Sequence, residues 1–149
     1  MELIIVMALI GILAFVVVPR FSARDGVNAR VAARQLATDL RYAQARAIAT
    51  RVRYGVAFEV TSGSWTVYRQ TPATPADDFL RPGTPMQRHP EGVTITTAEF
   101  DGGDRVEFDS MGTPRSAGGE LFAAGTVILA AGAVSDTVRV TPITGSVVF

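Results

Sequence analysis

Four carboxylates fall within the nine residues DGGDRVEFD: Asp101, Asp104, Glu107 and Asp109. Oxygen ligands at that density suit a hard cation such as calcium. Their spacing is not that of an EF-hand loop, however. A tight hairpin turn over the glycine pair, followed by a strand with Glu107 turned outward, accounts for the same residues. His89 is the only histidine, flanked by Arg88 and Pro90 in a proline-rich stretch. One imidazole cannot build a His-rich metal site, and a triad needs a nucleophile and an orienting acid beside it. His89 therefore reads as an exposed loop residue. The stretch SAGGE at 116–120 has neither the lysine nor the following helix of a phosphate loop. There is no cysteine, which excludes thiol nucleophiles, disulfides and Cys-based zinc sites. The sequence predicts no catalytic residue, no metal site and no cofactor.

The carboxylate that most needs a reason is Glu2. It heads the run MELIIVMALIGILAFVVVPRF, in which Leu3 to Val18 carry no charge. As a helix those residues would rise roughly 24 Å, a little short of the ~30 Å hydrocarbon core of a bilayer. A core helix of a soluble domain rarely stays apolar on every side for so long. A cleaved secretory signal wants a basic start and a small-x-small cleavage site, whereas the start Met1-Glu2 is acidic and PRFSARD offers Phe21 where a small residue is wanted. A plain membrane anchor fits the run but gives Glu2 no task. A lone carboxylate in hydrocarbon costs ~2.5 kcal/mol or more and usually has a partner or a function. At a helix N-terminus it also meets a favourable dipole. Pro19, lacking an N–H, is expected to kink or loosen a continuing helix.

The order of Glu2, then Leu3, Ile4, Ile5 and Val6, then ALIGILA with Gly11, then Pro19 resembles the N-terminal signature of type IV pilins and type II secretion pseudopilins. The resemblance implies that Glu2 pairs with the terminal amine of a neighbouring subunit and sets filament register. It implies that Leu3, Ile4, Ile5, Val6 and Gly11 belong to the assembly helix. It also implies a basic leader ending in glycine upstream of this start, cut by a prepilin peptidase, and an N-methylated first residue.

Residues 22–54 are rich in alanine, a strong helix former. Ala29, Ala33, Leu36, Leu40, Ala43 and Ala47 recur at helical spacing, which predicts a helix from about 28 to 51, restarted after Gly26 with Ser22 or Asn28 as cap. Eight arginines from Arg20 to Arg53 face only Asp25 and Asp39 there, a local charge of about +6. The chain has no lysine, and its total charge is zero. A basic stripe containing Arg30, Arg34 and Arg41 could take an anionic partner, DNA or lipid. The plainer reading is a solvated helix face, with Arg20 and Arg24 as anchors at the membrane edge.

Beyond Tyr54 the pattern changes to short alternating runs. GVAFEV and WTVYRQ flank the turn TSGS, and GVTITT, DRVEF, GTVILAA, DTVRV and GSVVF follow. These predict seven strands of an antiparallel two-sheet sandwich. Residues 71–91 contain five prolines and predict an irregular loop. The stretches LRYAQARAIATRVRYGVAFEV, FDSMGTP and TPITGSVVF resemble the GspH/FimT branch of minor pilins and pseudopilins. Some members of that branch bind DNA through a basic tail after a Thr-Gly pair. Here Thr144-Gly145 is followed by Ser146, Val147, Val148 and Phe149, without arginine. Phosphate contacts dominate nucleic-acid affinity, so nucleic acid is not the expected partner.

The expected fold is α+β and pilin-like: a long hydrophobic N-terminal helix followed by an antiparallel two-sheet β-sandwich head. The expected parts are a membrane and assembly helix at 1–21, an amphipathic helix at 22–54 and a head at 55–149 with its proline-rich loop. The resemblance implies a structural, non-enzymatic subunit of a type II secretion pseudopilus or type IV pilus. It would sit in the bacterial inner membrane in a single pass, head in the periplasm, and pack on other pilin subunits. A DNA-uptake pilin and an unrelated exported β-domain with an uncleaved anchor are the alternatives.

Overall fold

The computed structural model describes residues 2–78, 81–116, 119–120 and 123–149, with the side chains at 2–4, 8 and 13–23 outside the description. Helix α1 spans Glu2–Thr50 as one element. The expected restart after Gly26 does not occur. One glycine costs a helix only about 1 kcal/mol, and the alanine-rich turns that follow, packed on the sheets, outweigh it. Helix α1 ends where Arg51 takes the left-handed conformation, φ 55°, that often closes a helix and usually falls to glycine. Among the described residues no helix is long and apolar enough to cross a membrane.

Among the described residues twelve strands follow: β1 (Tyr54–Glu59), β2 (Ser64–Arg69), β3 (Asp77–Asp78), β4 (Arg81–Pro85), β5 (Gln87–Arg88), β6 (Thr94–Glu99), β7 (Arg105–Phe108), β8 (Pro114–Ser116), β9 (Gly119–Glu120), β10 (Gly125–Ala131), β11 (Val134–Val140) and β12 (Val147–Val148). They form a six-stranded sheet in the order β5-β2-β1-β7-β8-β9, a four-stranded sheet β12-β11-β10-β6, and a ribbon β3-β4. Every pairing is antiparallel. The predicted strands are all present in some length. The stretch 71–91 is not wholly irregular, because β3, β4 and β5 lie within it. Proline lacks a donor N–H but is tolerated at sheet edges, and β4, carrying Pro82 and Pro85, is exposed along its whole length.

One core joins the parts. Helix α1 presents Ala29, Ala32, Ala33, Leu36, Ala37, Leu40, Ala43 and Ala47, all buried, to both sheets. Mostly single methyl groups on that face let the sheets come close to the helix axis. The six-stranded sheet contributes Val56, Phe58, Trp65, Val67, Val106 and Phe108, and the four-stranded sheet Ile95, Val127, Leu129, Val138 and Val140. Phe58 stacks on Phe100 with ring centroids 5.5 Å apart, tying the two sheets together. On the opposite face of β1, Gly55 lies beneath the Tyr68 ring. A Cβ there would stand 2.6 Å from the ring and 2.7 Å from the Val106 carbonyl, so no other residue fits without displacement.

Candidate assembly surfaces and the polar clamps that hold them

The three stretches that carry the family resemblance meet at one side chain, Gln44 on α1. Its amide donates to the carbonyl of Gly112 and to that of Thr144, each at 2.9 Å. The first belongs to the FDSMGTP turn. There Asp109 Oδ1 accepts the backbone N–H groups of Met111 (2.9 Å) and Thr113 (3.0 Å), and Oδ2 accepts Arg115 Nε at 3.1 Å. Burial pushes the Asp109 carboxyl up, but these three donors more than offset it and hold it below the ordinary carboxylate range. Gly112 is left-handed, φ 80°. The second carbonyl belongs to the TPITGS turn, where Gly145 is also left-handed, and a Cβ would meet Gln44 Nε2 at 2.6 Å. These motif glycines serve backbone shape and close packing.

A second clamp joins α1 to the proline-rich segment. Asp39, buried among the alanines, accepts the indole N–H of Trp65 at 2.8 Å. Arg88 Nε lies 3.4 Å from the same oxygen, an ion pair too poorly directed to be a hydrogen bond, while Arg88 Nη1 donates to Asp78 at 2.7 Å. Burial raises the Asp39 carboxyl above its ordinary value, and the indole bond and the Arg88 charge only partly counter it. Burial alone would lower the Arg88 guanidinium, but the hydrogen bond to Asp78 and the two carboxylate charges raise it. The cluster pairs one partly buried cation with two buried acids, and removing the cation would strand carboxylate charge in the interior.

The carboxylates of DGGDRVEFD do not converge. Asp101 and Gly102, both at positive φ, form a two-residue hairpin turn closed by Phe100 and Gly103, and Glu99 accepts the Gly102 N–H at 2.7 Å. The turn is thus over Asp101-Gly102, where positive φ at both central positions suits a type I′ hairpin, one residue earlier than the glycine pair. Glu107 accepts the Tyr68 hydroxyl at 2.9 Å and pairs with Arg53 at 3.4 Å. Burial and this bond to a carboxylate push the Tyr68 phenol well up. Among the described residues no group of His, Asp and Glu could hold a metal ion. His89 is exposed.

Of the predicted assembly residues, Ile5 and Val6 are described and exposed, as are Met7, Leu9, Ile10 and Ile12, each more than half accessible. Nothing lies within 4 Å of where a Cβ would stand on Gly11. The side chains of Glu2, Leu3, Ile4 and Pro19 lie outside the described residues, although α1 is continuous through Pro19. Arg30, Arg34 and Arg41 share one side of α1 and are exposed, but their surroundings differ. Arg41 donates to the Val147 carbonyl at 3.0 Å and sits 5.9 Å over the Phe149 ring, so it holds the last strand. Arg30 and Arg34 make no side-chain hydrogen bond or ion pair among the described residues. Sequence reasoning missed the roles of Gln44, Asp39 and Arg88. The one available signal was a carboxylate, Asp39, on the apolar face between Leu36 and Leu40.

The model of the family described as type II transport protein GspH matches residues 32–145. Among solved structures, the chain is similar to the minor pseudopilin EpsH from the type 2 secretion system of Vibrio cholerae. The TM-score is 0.60 at 16% identity, covering 81% of this chain and 94% of that one. It is also similar to the type IV minor pilin FimU of Pseudomonas aeruginosa, with a TM-score of 0.55 at 12% identity, covering 87% and 91%. The head is therefore pilin-like in fold. No curated protein sequence matches the chain.

Proposed function

The chain belongs to the GspH family, and from that premise we propose that it is a structural minor subunit of a type II secretion pseudopilus or a type IV pilus. Its first twenty-one residues anchor it in the inner membrane in a single pass, with the head in the periplasm. On assembly the same helix packs among the helices of other subunits, with Leu3, Ile4, Ile5, Val6 and Gly11 in the contact and Pro19 easing the helix at the membrane edge. Glu2 sets register against the terminal amine of a neighbour, once a prepilin peptidase has processed the precursor. The subunit performs no chemistry of its own. The observation that carries this reading is the run of exposed Ile5, Val6, Met7, Leu9, Ile10 and Ile12 on a helix whose second half completes the head. Such a surface in one chain is stable only against lipid or other subunits.

The test is incorporation into filaments in cells expressing the full assembly system. Glu2→Ala and Ile10→Asp are expected to leave the protein level unchanged and to remove it from the sheared filament fraction. Undiminished recovery of both variants in that fraction would refute the reading.

A further inference from the structure

The base of the head carries a surface outside the helix contacts named above. Val27, Arg30, Val31 and Arg34 fall at intervals of three and four on α1 and so share one stripe. With Gly26 and Val134 they line a shallow groove of about 330 Å³. Val27 and Val31 are more than half exposed and Val134 is 39% exposed. Val134 opens β11, just beyond the β10–β11 hairpin tip, whose Gly132 and Ala133 are also exposed. The tip packs on the helix: the Asp25 carboxylate lies against Gly132, and the Val134 methyls stand 3.8 and 3.9 Å from where a Cβ would be on Gly26. Arg30 and Arg34 also line an adjoining groove of about 260 Å³ with Asp136 and Phe149, yet no ion pair joins Asp136 to either of them. Asp136 instead accepts the Thr137 N–H. Arg24, one turn earlier, is exposed as well.

We infer that this rim, formed by Val27, Arg30, Val31, Arg34 and the 131–134 hairpin tip, seats the head on the headgroup layer of an anionic bilayer before assembly. The inference rests on the anchor reading above. Two independent observations select lipid as the occupant. The first is position. Gly26, against which the hairpin tip packs, lies five residues past Phe21, a rise of roughly 8 Å, the scale of one headgroup layer outside the hydrocarbon. Arg30 and Arg34 stand roughly 14 and 20 Å out along the axis. Helical side chains lean back toward the N-terminus, which brings the Arg30 guanidinium to that layer and the Arg34 guanidinium toward its outer edge. A modest helix tilt, ~20° on average for spanning helices, lowers the side that carries the hairpin. The second is composition. A nucleic acid would satisfy the guanidiniums but leave the valines in water, and a protein would have to bring acidic and apolar groups together in matching register. The boundary between acyl chains and phosphates takes both, with apolar groups sunk in and arginines on the phosphates. Arginine matches phosphate oxygens through its planar fork. Seating would hold the head close to the membrane, and extraction into the filament would expose the same rim.

The chain has no cysteine, so single labels can be placed at will. The full chain is reconstituted into nanodiscs of phosphatidylcholine alone or with phosphatidylglycerol, bearing a polarity-sensitive fluorophore at Ala133→Cys or at Met111→Cys. Met111 is 77% exposed and adjoins Gly112, which packs on Ile48, twenty-two residues along α1 from Gly26. The label at 133 is expected to shift to the blue in the anionic discs, less in neutral ones and less at high salt, and the label at 111 to stay unchanged. Arg30→Gln with Arg34→Gln, on an exposed face, is expected to abolish the lipid-dependent shift while leaving insertion and thermal unfolding unchanged. Stable insertion with a label at 133 as water-exposed as at 111 overturns this inference and leaves the anchor reading standing. A shift that follows protein density instead of lipid charge would assign the rim to a second copy and also overturn it. Failure of the chain to insert would overturn both.

Discussion

The two halves of α1 share one backbone and differ in what covers them. From Ala29 to Ala47 the buried face is small and apolar, and both sheets close on it. At Ile5, Val6, Met7, Leu9, Ile10 and Ile12 the side chains are larger and more hydrophobic, yet exposed. Hydrophobicity alone therefore does not place a residue in the core of this chain. The second half is buried because β1, β10 and β11 return to it. Among the described residues, the apolar side chains of the first half are exposed. Asp39 and Gln44, in the second half, are consumed by clamps within the head.

The contrast can be broken most strongly by equal truncations in the two halves. Leu40→Ala, at a position with no accessible surface, is expected to cost about 2–5 kcal/mol of head stability. Ile10→Ala, 60% exposed, should change stability by less than about 0.5 kcal/mol. Denaturant unfolding in detergent reads both, and equal losses would mean that the first half also packs on the head.

The Asp39 clamp comes next. Asp39→Ala leaves the Trp65 N–H without an acceptor and Arg88 with one acid fewer, at an expected cost of about 3 kcal/mol. Trp65 is the only tryptophan, so a red shift of its fluorescence would report the opening directly. Asp39→Asn keeps an acceptor for the indole and should cost less. If Asn costs as much as Ala, the charge on Arg88 matters more than the indole bond.

Gln44→Ala removes two hydrogen bonds and is expected to cost about 1–3 kcal/mol. Its signature is local: faster amide exchange in the turns at 109–113 and 141–145, with none at Trp65. The smallest effect is the acid limb contributed by Asp109. Its carboxyl lies below the ordinary range in the folded head, so the unfolded chain binds its proton first as pH falls. The stabilisation is complete above the unfolded value of about 3.9 and lost as pH drops through the lower folded value. Asp109→Asn should lower stability at neutral pH and flatten the thermal midpoint between pH 4 and 2. Asp39, whose folded carboxyl is raised, acts with the opposite sign. Its proton is held more tightly folded than unfolded, so its ionisation lowers stability as pH rises above about 3.9.

Much of the architecture was legible in the sequence. Helical spacing of Ala29 through Ala47 marked the buried stripe, and two-residue alternation marked β1, β2, β10 and β11, because side-chain direction follows the local backbone period. The extra short strands were not legible, since two-residue segments such as β3 and β5 carry no period and exist only where a neighbouring strand pairs with them. The uninterrupted helix at Gly26 was missed for a related reason. Local propensity favours a break there, and the hairpin tip that packs on Gly26 comes from a segment more than a hundred residues later.

By itself, then, the sequence determined the longer strands and the helical stripe that must be buried, the apolar run at the N-terminus, and the absence of cysteine chemistry. The tertiary structure alone decided which polar groups meet. Trp65 reaches Asp39 across 26 positions, and the two carbonyls held by Gln44 lie 68 and 100 positions away. A local pattern fixes the face on which a side chain stands. Only the packing of α1 on both sheets, and the register between their strands, fixes what stands opposite.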